Sequence, residues 1–119
     1  MPFDILSYKV GRFTSELPGH EVLNNRFLEL KGLTPGRGIG TASTFNPAIA
    51  LPVELHASTI QKLQRQHGVW FAKDLENLTR TQIINKNLDV LREAGVNESV
   101  VQQVRRAAVT HARLIGGGL

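Results

Sequence analysis

The chain of 119 residues contains no cysteine. This absence excludes disulfide frameworks and cysteine-based zinc sites, so any metal site must be built from His, Asp, Glu and Asn. Long hydrophobic runs are also absent. Stretches such as 48–53 are far shorter than the run of about 20 apolar residues that is needed to span a bilayer. The sequence therefore predicts one domain, without membrane insertion, that is large enough to form a core without disulfides or a structural metal.

The excess of positive charge is modest and lies toward the C-terminus. Fourteen Lys and Arg residues against ten Asp and Glu give a net charge of +4. Residues 79–119 hold six of these cations and only three of the anions. This balance permits a polyanion such as a nucleic acid as partner, and it fits a solvated helix face equally well.

Hydrophobic periodicity predicts a mainly helical α+β domain. Residues 3–17 favour short extended segments or a hairpin, and Ala48–Leu51 is apolar enough for a buried strand. Four helices are predicted: Glu21–Lys31, Val53–His67 ended by Gly68, Thr79 to about Ala94 ended by Gly95, and one capped by Asn97 that extends toward the C-terminal glycines.

Side-chain patterns add detail to the second half of the chain. Thr79 and Gln82 have the spacing of a capping box. Trp70 and Phe71 are expected to fill the core. The last helix has a predicted buried stripe made of Val100, Val104, Ala107, Ala108, His111 and Ile115.

Histidines are the main candidates for metal ligands and general bases in a chain without cysteine. His56 and His67 share one stripe of the predicted helix, but eleven residues separate them by roughly 16 Å, so they cannot bind the same ion. The position that would complete a helical chelate with His56 is Ile60. A single-ion site therefore needs His56 together with a ligand from His20, Glu21 or Asn46; the alternative is that these histidines are structural.

The other two histidines have simpler interpretations. His67 lies one residue before Gly68 and is expected to interact with the C-terminal dipole of its helix. His111 lies on the apolar stripe of the last helix and is expected to be structural.

One succession of motifs resembles a known family. GHEVLNN (19–25), a glycine-rich loop and FNPAIALPVELH (45–56) resemble the GH-E group of the HNH/endonuclease VII nuclease superfamily, which occurs as C-terminal toxin domains of bacterial polymorphic toxin systems. The resemblance covers residues 17–68. It implies a single nuclease toxin domain over 1–119, in which a short β-hairpin and strand with a helix form a ββα-metal (His-Me finger) site and two C-terminal helices at 79–115 form a cover.

The resemblance also implies roles for individual residues. His20 matches the first His of the motif, as metal ligand or base, and Glu21 is a ligand or the general base where many relatives have a second His. Asn46 matches the Asn that orients the catalytic group, and His56 matches the helical metal ligand. The chain departs from several relatives at Ile60, where they place a second helical His. The expected cofactor is one divalent metal ion, with Mg²⁺ or Mn²⁺ favoured and Zn²⁺ as the alternative.

Three arginines are candidates for contacts to nucleic acid. Arg37 lies in the glycine-rich loop, where its guanidinium can bind a phosphate through two hydrogen bonds. Arg105 and Arg106 lie in the second of two helices joined by AGVN, an arrangement superficially like a helix-turn-helix, in which they would meet the DNA backbone. The alternative is that all three are ordinary exposed residues and that the two helices only cover the core.

These observations predict a metal-dependent endonuclease (DNase) toxin domain that hydrolyses phosphodiester bonds in target-cell DNA. We expect it to be the C-terminal effector module of a larger secreted protein, delivered into the cytoplasm of a target bacterium. A cognate immunity protein, acidic where it meets the basic face, is the expected second partner. Two alternatives are a non-catalytic nucleic-acid-binding helical module, and an enzyme of another class that uses Glu21 as a base without metal.

Overall fold

A short antiparallel sheet packs against a mainly helical body in the computed structural model, which describes residues 3, 5–7, 16, 18–23, 27 and 47–114. The three strands are β1 (Ile5–Ser7), β2 (Gly19–His20) and β3 (Pro47–Ala50). β3 lies between the other two and pairs with both. The run 48–51, predicted to be a buried strand, is fully buried, so this prediction is confirmed apart from a shift of one residue in the bounds of the strand.

The register brings residues distant in sequence together. Ile49 is opposite Ile5 on one side and opposite His20 on the other. Beyond the sheet, the Leu51 amide donates to the Pro18 carbonyl at 3.1 Å and the Val53 amide to the Glu16 carbonyl at 2.9 Å. Within the described residues, β1 and β2 each pair with β3 rather than with each other, so the sheet is assembled from long-range pairings and not from a local hairpin.

Helical structure begins at Val53 and continues through a π-helical segment, Leu55–Ile60, into α1, Gln61–Gln66. The residue after its cap is Gly68, at a φ of +73° that glycine adopts without strain. The predicted extent of this helix is confirmed, whereas its π-helical first part is not visible in the sequence pattern. The remaining helices are α2 (Ala72–Leu75), α3 (Arg80–Glu93) and α4 (Glu98–Leu114).

Local capping signals place the two long helices. Thr79 and Gln82 form the predicted capping box, with reciprocal bonds of 3.1 and 2.9 Å between side chains and backbone amides. Asn97 accepts the Ser99 amide at 2.8 Å through its side chain and so caps α4. Between the helices, Gly95 has a φ of +92°. Both helices predicted within 79–115 therefore form close to their predicted bounds.

The core forms where α3 packs on α4 and β3 packs on α4. Val101, Val104, Ala108 and Ala112 form the most buried stripe of α4. Of the predicted stripe, Val100 and Ala107 are half-buried, and Ile115 lies outside the described residues. Other fully buried side chains come from the sheet and the remaining helices: Ile49, Leu51, Ile60, Leu75, Ile83, Ile84, Leu88 and Leu91. No helix among the described residues is long and apolar enough to cross a membrane.

Two sequence predictions are wrong in detail. Glu21, Val22 and Leu23 are not helical, because they form the segment that directly follows β2. Phe27 is helical, and the rest of the helix predicted over 21–31 lies outside the described residues. Phe71 does not fill the core, since its side chain is 48% exposed. It occupies the extended cap position before α2, and Trp70 is only half-buried, with the Arg65 guanidinium 5.0 Å from its ring centre.

Candidate metal and catalytic site

His20 is placed by the sheet. It is the last residue of β2, its backbone is paired with Ile49, and the residue is only 5% exposed. The pairing fixes the backbone of His20, and the burial of the residue keeps its imidazole away from solvent.

His56 reaches the same place from the helix that follows β3. Leu51 and Pro52 connect the strand to this helix, and the His56 amide donates to the Pro52 carbonyl at 3.0 Å. The centres of the His20 and His56 rings are 5.6 Å apart and the ring planes are inclined by 70°. We call these two residues the histidine pair. His56 lies in the π-helical segment, a rare geometry that often occurs at functional sites.

Both imidazoles of the histidine pair are neutral at pH 7. Burial, and to a smaller extent the neighbouring His56, lower the pKa of His20 to about 3. Burial also lowers the pKa of the half-buried His56. A neutral imidazole has one ring nitrogen with a free lone pair, which is the form that binds metal ions.

The hydrogen bonding of His20 is incomplete. Its Nε2 is buried and has no hydrogen-bond partner among the residues that the structure describes. Buried polar groups without a partner cost about 1–3 kcal/mol and are rare in native proteins, so each of them requires an explanation. A ligand on Nε2 is an explanation that also fits the neutral state of the ring.

A buried amide network holds the segment after His20. The Asn87 side chain donates to the Val22 carbonyl at 2.8 Å and accepts from the Gln64 side chain at 3.0 Å. Asn87 is completely buried in α3, so it links the chain next to His20 to both α1 and α3. Sequence reasoning missed this residue; its signal is an amide within the apolar face that contains Ile84, Leu88 and Leu91.

The other predicted site residues have different positions. Glu21 follows His20 directly and is buried, but no group of three or more His, Asp or Glu side chains suited to a metal ion occurs within the described residues. Asn46 and Arg37 lie outside the described residues. Arg105 and Arg106 are exposed on α4.

The remaining histidines are not part of the histidine pair. His67 Nε2 lies 3.0 Å from Glu93 Oε1 on α3, so this residue links two helices as well as ending one. His111 is buried on α4, as expected of a structural residue.

Comparison with protein-family models, with curated proteins and with solved structures finds no match to this chain.

Proposed function

We propose that the chain is a divalent-metal-dependent endonuclease domain that hydrolyses phosphodiester bonds in DNA. The observation that carries the proposal is the histidine pair, in which two neutral rings lie 5.6 Å apart and the buried His20 Nε2 has no partner within the described part of the chain. The resemblance of GHE and FNPAIALPVELH to GH-E nucleases, with a ββα-metal site at residues 17–68, supports the same proposal. β2, β3 and the helix after it supply two antiparallel strands and a helix in the order which that site requires.

The histidine pair fits a bound ion. Two imidazole nitrogens that each lie about 2.0–2.1 Å from one ion are at most about 4 Å apart. Ring centres 5.6 Å apart are compatible with that separation. His20 and His56 are therefore the residues that would hold the ion.

The pair assigns roles that the sequence leaves open. A bound divalent ion would stabilise negative charge on the phosphoryl oxygens. His20 is the less suitable base, because a ring nitrogen that binds the ion has no lone pair left to accept a proton. We therefore assign His20 as a ligand and Glu21, the next residue along the chain, as the acceptor of the proton from water.

The donor atoms bear on the choice of metal. Imidazole nitrogens suit Zn²⁺ and other transition ions, whereas Mg²⁺ prefers carboxylates and water. The two protein ligands assigned here are imidazoles, so Mn²⁺ and Zn²⁺ suit the histidine pair better than Mg²⁺ does.

Nicking of supercoiled plasmid tests the proposal. Purified protein is assayed with Mg²⁺, Mn²⁺ or Zn²⁺ and with EDTA, alongside His20→Ala and His56→Ala. We expect nicking with Mn²⁺, none in EDTA, and loss of nicking in both variants. His67→Ala is the matched control, because it removes a histidine outside the pair and should retain nicking.

The other outcomes identify the alternatives. Nicking by His20→Ala and His56→Ala at the wild-type rate would overturn the proposal. Nicking that survives EDTA would favour an enzyme that uses Glu21 without metal. DNA binding without nicking under any ion would favour a non-catalytic binding module, for which the exposed Arg105 and Arg106 on α4 are the supporting observation.

We extend the proposal to the biological role on the basis of the family resemblance alone. The domain acts as the C-terminal effector of a secreted polymorphic toxin, enters the cytoplasm of a target bacterium and is neutralised by an acidic immunity protein in the producing cell. Induced cytoplasmic expression should therefore reduce bacterial viability for the wild type and not for His20→Ala. Equal growth of both strains at equal protein levels would contradict this role.

A further inference from the structure

A groove formed by α3 and α4 contains a second group of polar and charged side chains. It has a volume of about 440 Å³ and lies between α3 and α4. Its lining includes three arginines of α4, Arg105, Arg106 and Arg113, with Asn85 of α3 and Gln102 and Thr110 of α4. We call this feature the arginine groove. It shares no residue with the histidine pair.

The arginine groove has no compensating negative charge. No carboxylate occurs in its lining. The acidic residues of α3 and α4 are engaged elsewhere: Arg92 binds Asp89 at 2.8 Å and Glu98 at 2.9 Å, and Glu93 pairs with His67. Among the described residues, none of the three arginines of the groove forms an ion pair. Three guanidinium groups therefore converge on one surface whose charge the described part of the fold leaves unneutralised.

The geometry suits an extended phosphate backbone. Gln102, Arg106 and Arg113 lie on one face of α4, at spacings of four and seven residues, and Arg105 flanks that face. The seven residues from Arg106 to Arg113 span about 10.5 Å of helix, which equals the rise of about three base pairs, at 3.4 Å each, along the axis of a DNA duplex. Guanidinium groups bind phosphates through paired hydrogen bonds, and the amides of Asn85 and Gln102 are further donors.

The opposite face of α4 makes the surface rigid. Val101, Val104, Ala108 and Ala112 are buried against the core. The Arg80 side chain, at the start of α3, also donates to the Ala112 carbonyl at 2.7 Å and ties α3 to the end of α4. Both walls of the groove are therefore held by core packing before any ligand binds.

From these observations we infer that the arginine groove is an anchoring surface for the sugar–phosphate backbone of nucleic acid, separate from the histidine pair. The inference deepens the proposed function by assigning the surface that holds the substrate, but binding at the groove does not require cleavage. The sequence suggested Arg105 and Arg106 as contacts to nucleic acid. The inference adds Arg113, Asn85 and Gln102 to this set.

Binding measured without catalysis tests the inference. Fluorescence anisotropy of a labelled DNA duplex of about two helical turns is recorded in EDTA over a series of salt concentrations. The triple variant Arg105→Gln/Arg106→Gln/Arg113→Gln should bind at least about tenfold more weakly at low salt. The slope of log K against log salt should fall by about 2–3, because each lost phosphate contact accounts for about 0.9.

The matched control removes the same charge elsewhere. Lys62→Gln/Arg65→Gln/Lys73→Gln replaces three exposed cations of α1 and α2, so both triple variants have a net charge of +1, three less than +4. The control should retain most of the affinity. Equal losses in the two variants would mean that only net charge matters and would overturn the inference.

Two further arms complete the design. Arg106→Lys keeps the charge but loses the paired hydrogen bonds, so an intermediate affinity for DNA is expected even if the triple variant fails to fold.

Poly-glutamate tests whether the groove prefers an acidic polypeptide. It is added as a competitor at the same total charge as unlabelled DNA. If both competitors displace the labelled DNA equally well, the groove is reassigned to an acidic polypeptide. Binding is recorded in EDTA, where no metal-dependent cleavage occurs, so failure of the nuclease proposal (no nicking with any ion) and failure of the groove (equal losses of affinity in the two triple variants) are distinguishable.

Discussion

The histidine pair and the arginine groove differ in burial and in charge, although both contain basic side chains in one small domain. His20 is 5% exposed, and burial lowers its pKa to about 3, so the ring is neutral at pH 7. Arg105, Arg106 and Arg113 remain exposed around an open groove and keep their charge in contact with solvent. The same chain therefore contains one site with polar atoms but no charge and another with charge but little burial.

The difference has a chemical meaning. A buried neutral imidazole offers a lone pair to an electron-poor partner and holds its position firmly. Exposed guanidinium groups attract a polyanion over a long range but fix no reacting atom. If the proposals are correct, chemistry depends on the first region and affinity on the second, and substitutions should separate the two.

The largest effect should come from the comparison of His20→Ala with the triple arginine variant in nicking assays. His20→Ala should abolish nicking, because it removes a ligand of the ion that would stabilise charge on the phosphoryl oxygens. The triple variant should raise KM by at least about tenfold with kcat within about threefold of wild type, as expected for uniform binding. Single-turnover kinetics with anisotropy measures both quantities. A common effect of both variants on the same parameter would contradict the separation.

Two asparagines of α3 sharpen the comparison in terms of stability. Asn87→Ala leaves both the Val22 carbonyl and the Gln64 side chain without the bonds observed here, so it should lower the free energy of unfolding by about 2–4 kcal/mol. Asn85→Ala, at an exposed position in the arginine groove, should change it by less than about 0.5 kcal/mol. Urea unfolding measures both. Similar values for the two variants would show that the amide network does not stabilise the site.

The pH dependence of stability should arise from the histidine pair. The folded pKa of His20, about 3, lies below its value of 6.5 in an unfolded chain, so the unfolded state takes up a proton that the folded state excludes. Stability is therefore present above pH 6.5 and lost as the pH falls. The loss is about 1.4 kcal/mol per unit, or about 2 kcal/mol between pH 7 and 5, and His56 acts in the same direction.

Urea unfolding of the metal-free protein at several pH values tests this dependence. His20→Gln should remove most of it, and the triple arginine variant should retain it. A wild-type protein as stable at pH 5 as at pH 7 would contradict the buried neutral state of His20.

The smallest effect should be that of the arginine groove on stability. Arg105→Gln, Arg106→Gln and Arg113→Gln alter exposed side chains without ion pairs among the described residues, so each should change the free energy of unfolding by less than about 0.5 kcal/mol. A thermal melt in EDTA measures these changes. A loss above 1–2 kcal/mol, typical of buried groups, would mean that the groove is part of the folded framework rather than a free surface.

The parts of the fold that sequence reasoning predicted depend on short-range signals. The capping box at Thr79, the cap at Asn97 and the glycines at 68 and 95 each act within a few residues, and each was found at its predicted place. Periodicity likewise indicated the helix after β3. The prediction failed where long-range packing competes, as at Phe71, which is exposed while Leu75 is buried.

The candidate site was predictable only in part. Its two histidines were candidates from residue chemistry and helix spacing, and the motif resemblance assigned them roles; the structure brings their rings together. Three features were not predictable, since each depends on which neighbours surround a side chain. They are the lack of a partner for His20 Nε2 among the described residues, the amide network of Asn87, and the position of Arg113 in the lining of the groove. The π-helical segment around His56 was also missed, because a hydrogen-bond pattern shifted by one residue leaves no periodic trace over six residues.

The sequence by itself determined the absence of a cysteine-based site, the starts of the two long helices α3 and α4, and the residue types available for chemistry, because these follow from composition and from interactions along the chain. Tertiary structure alone decided that β3 pairs with both other strands and that His20 and His56 meet. It also decided that one set of basic residues is neutral and buried while another is charged and exposed. The physical reason is that charge state and hydrogen bonding depend on burial, and the residues that bury His20 are brought to it from distant parts of the chain.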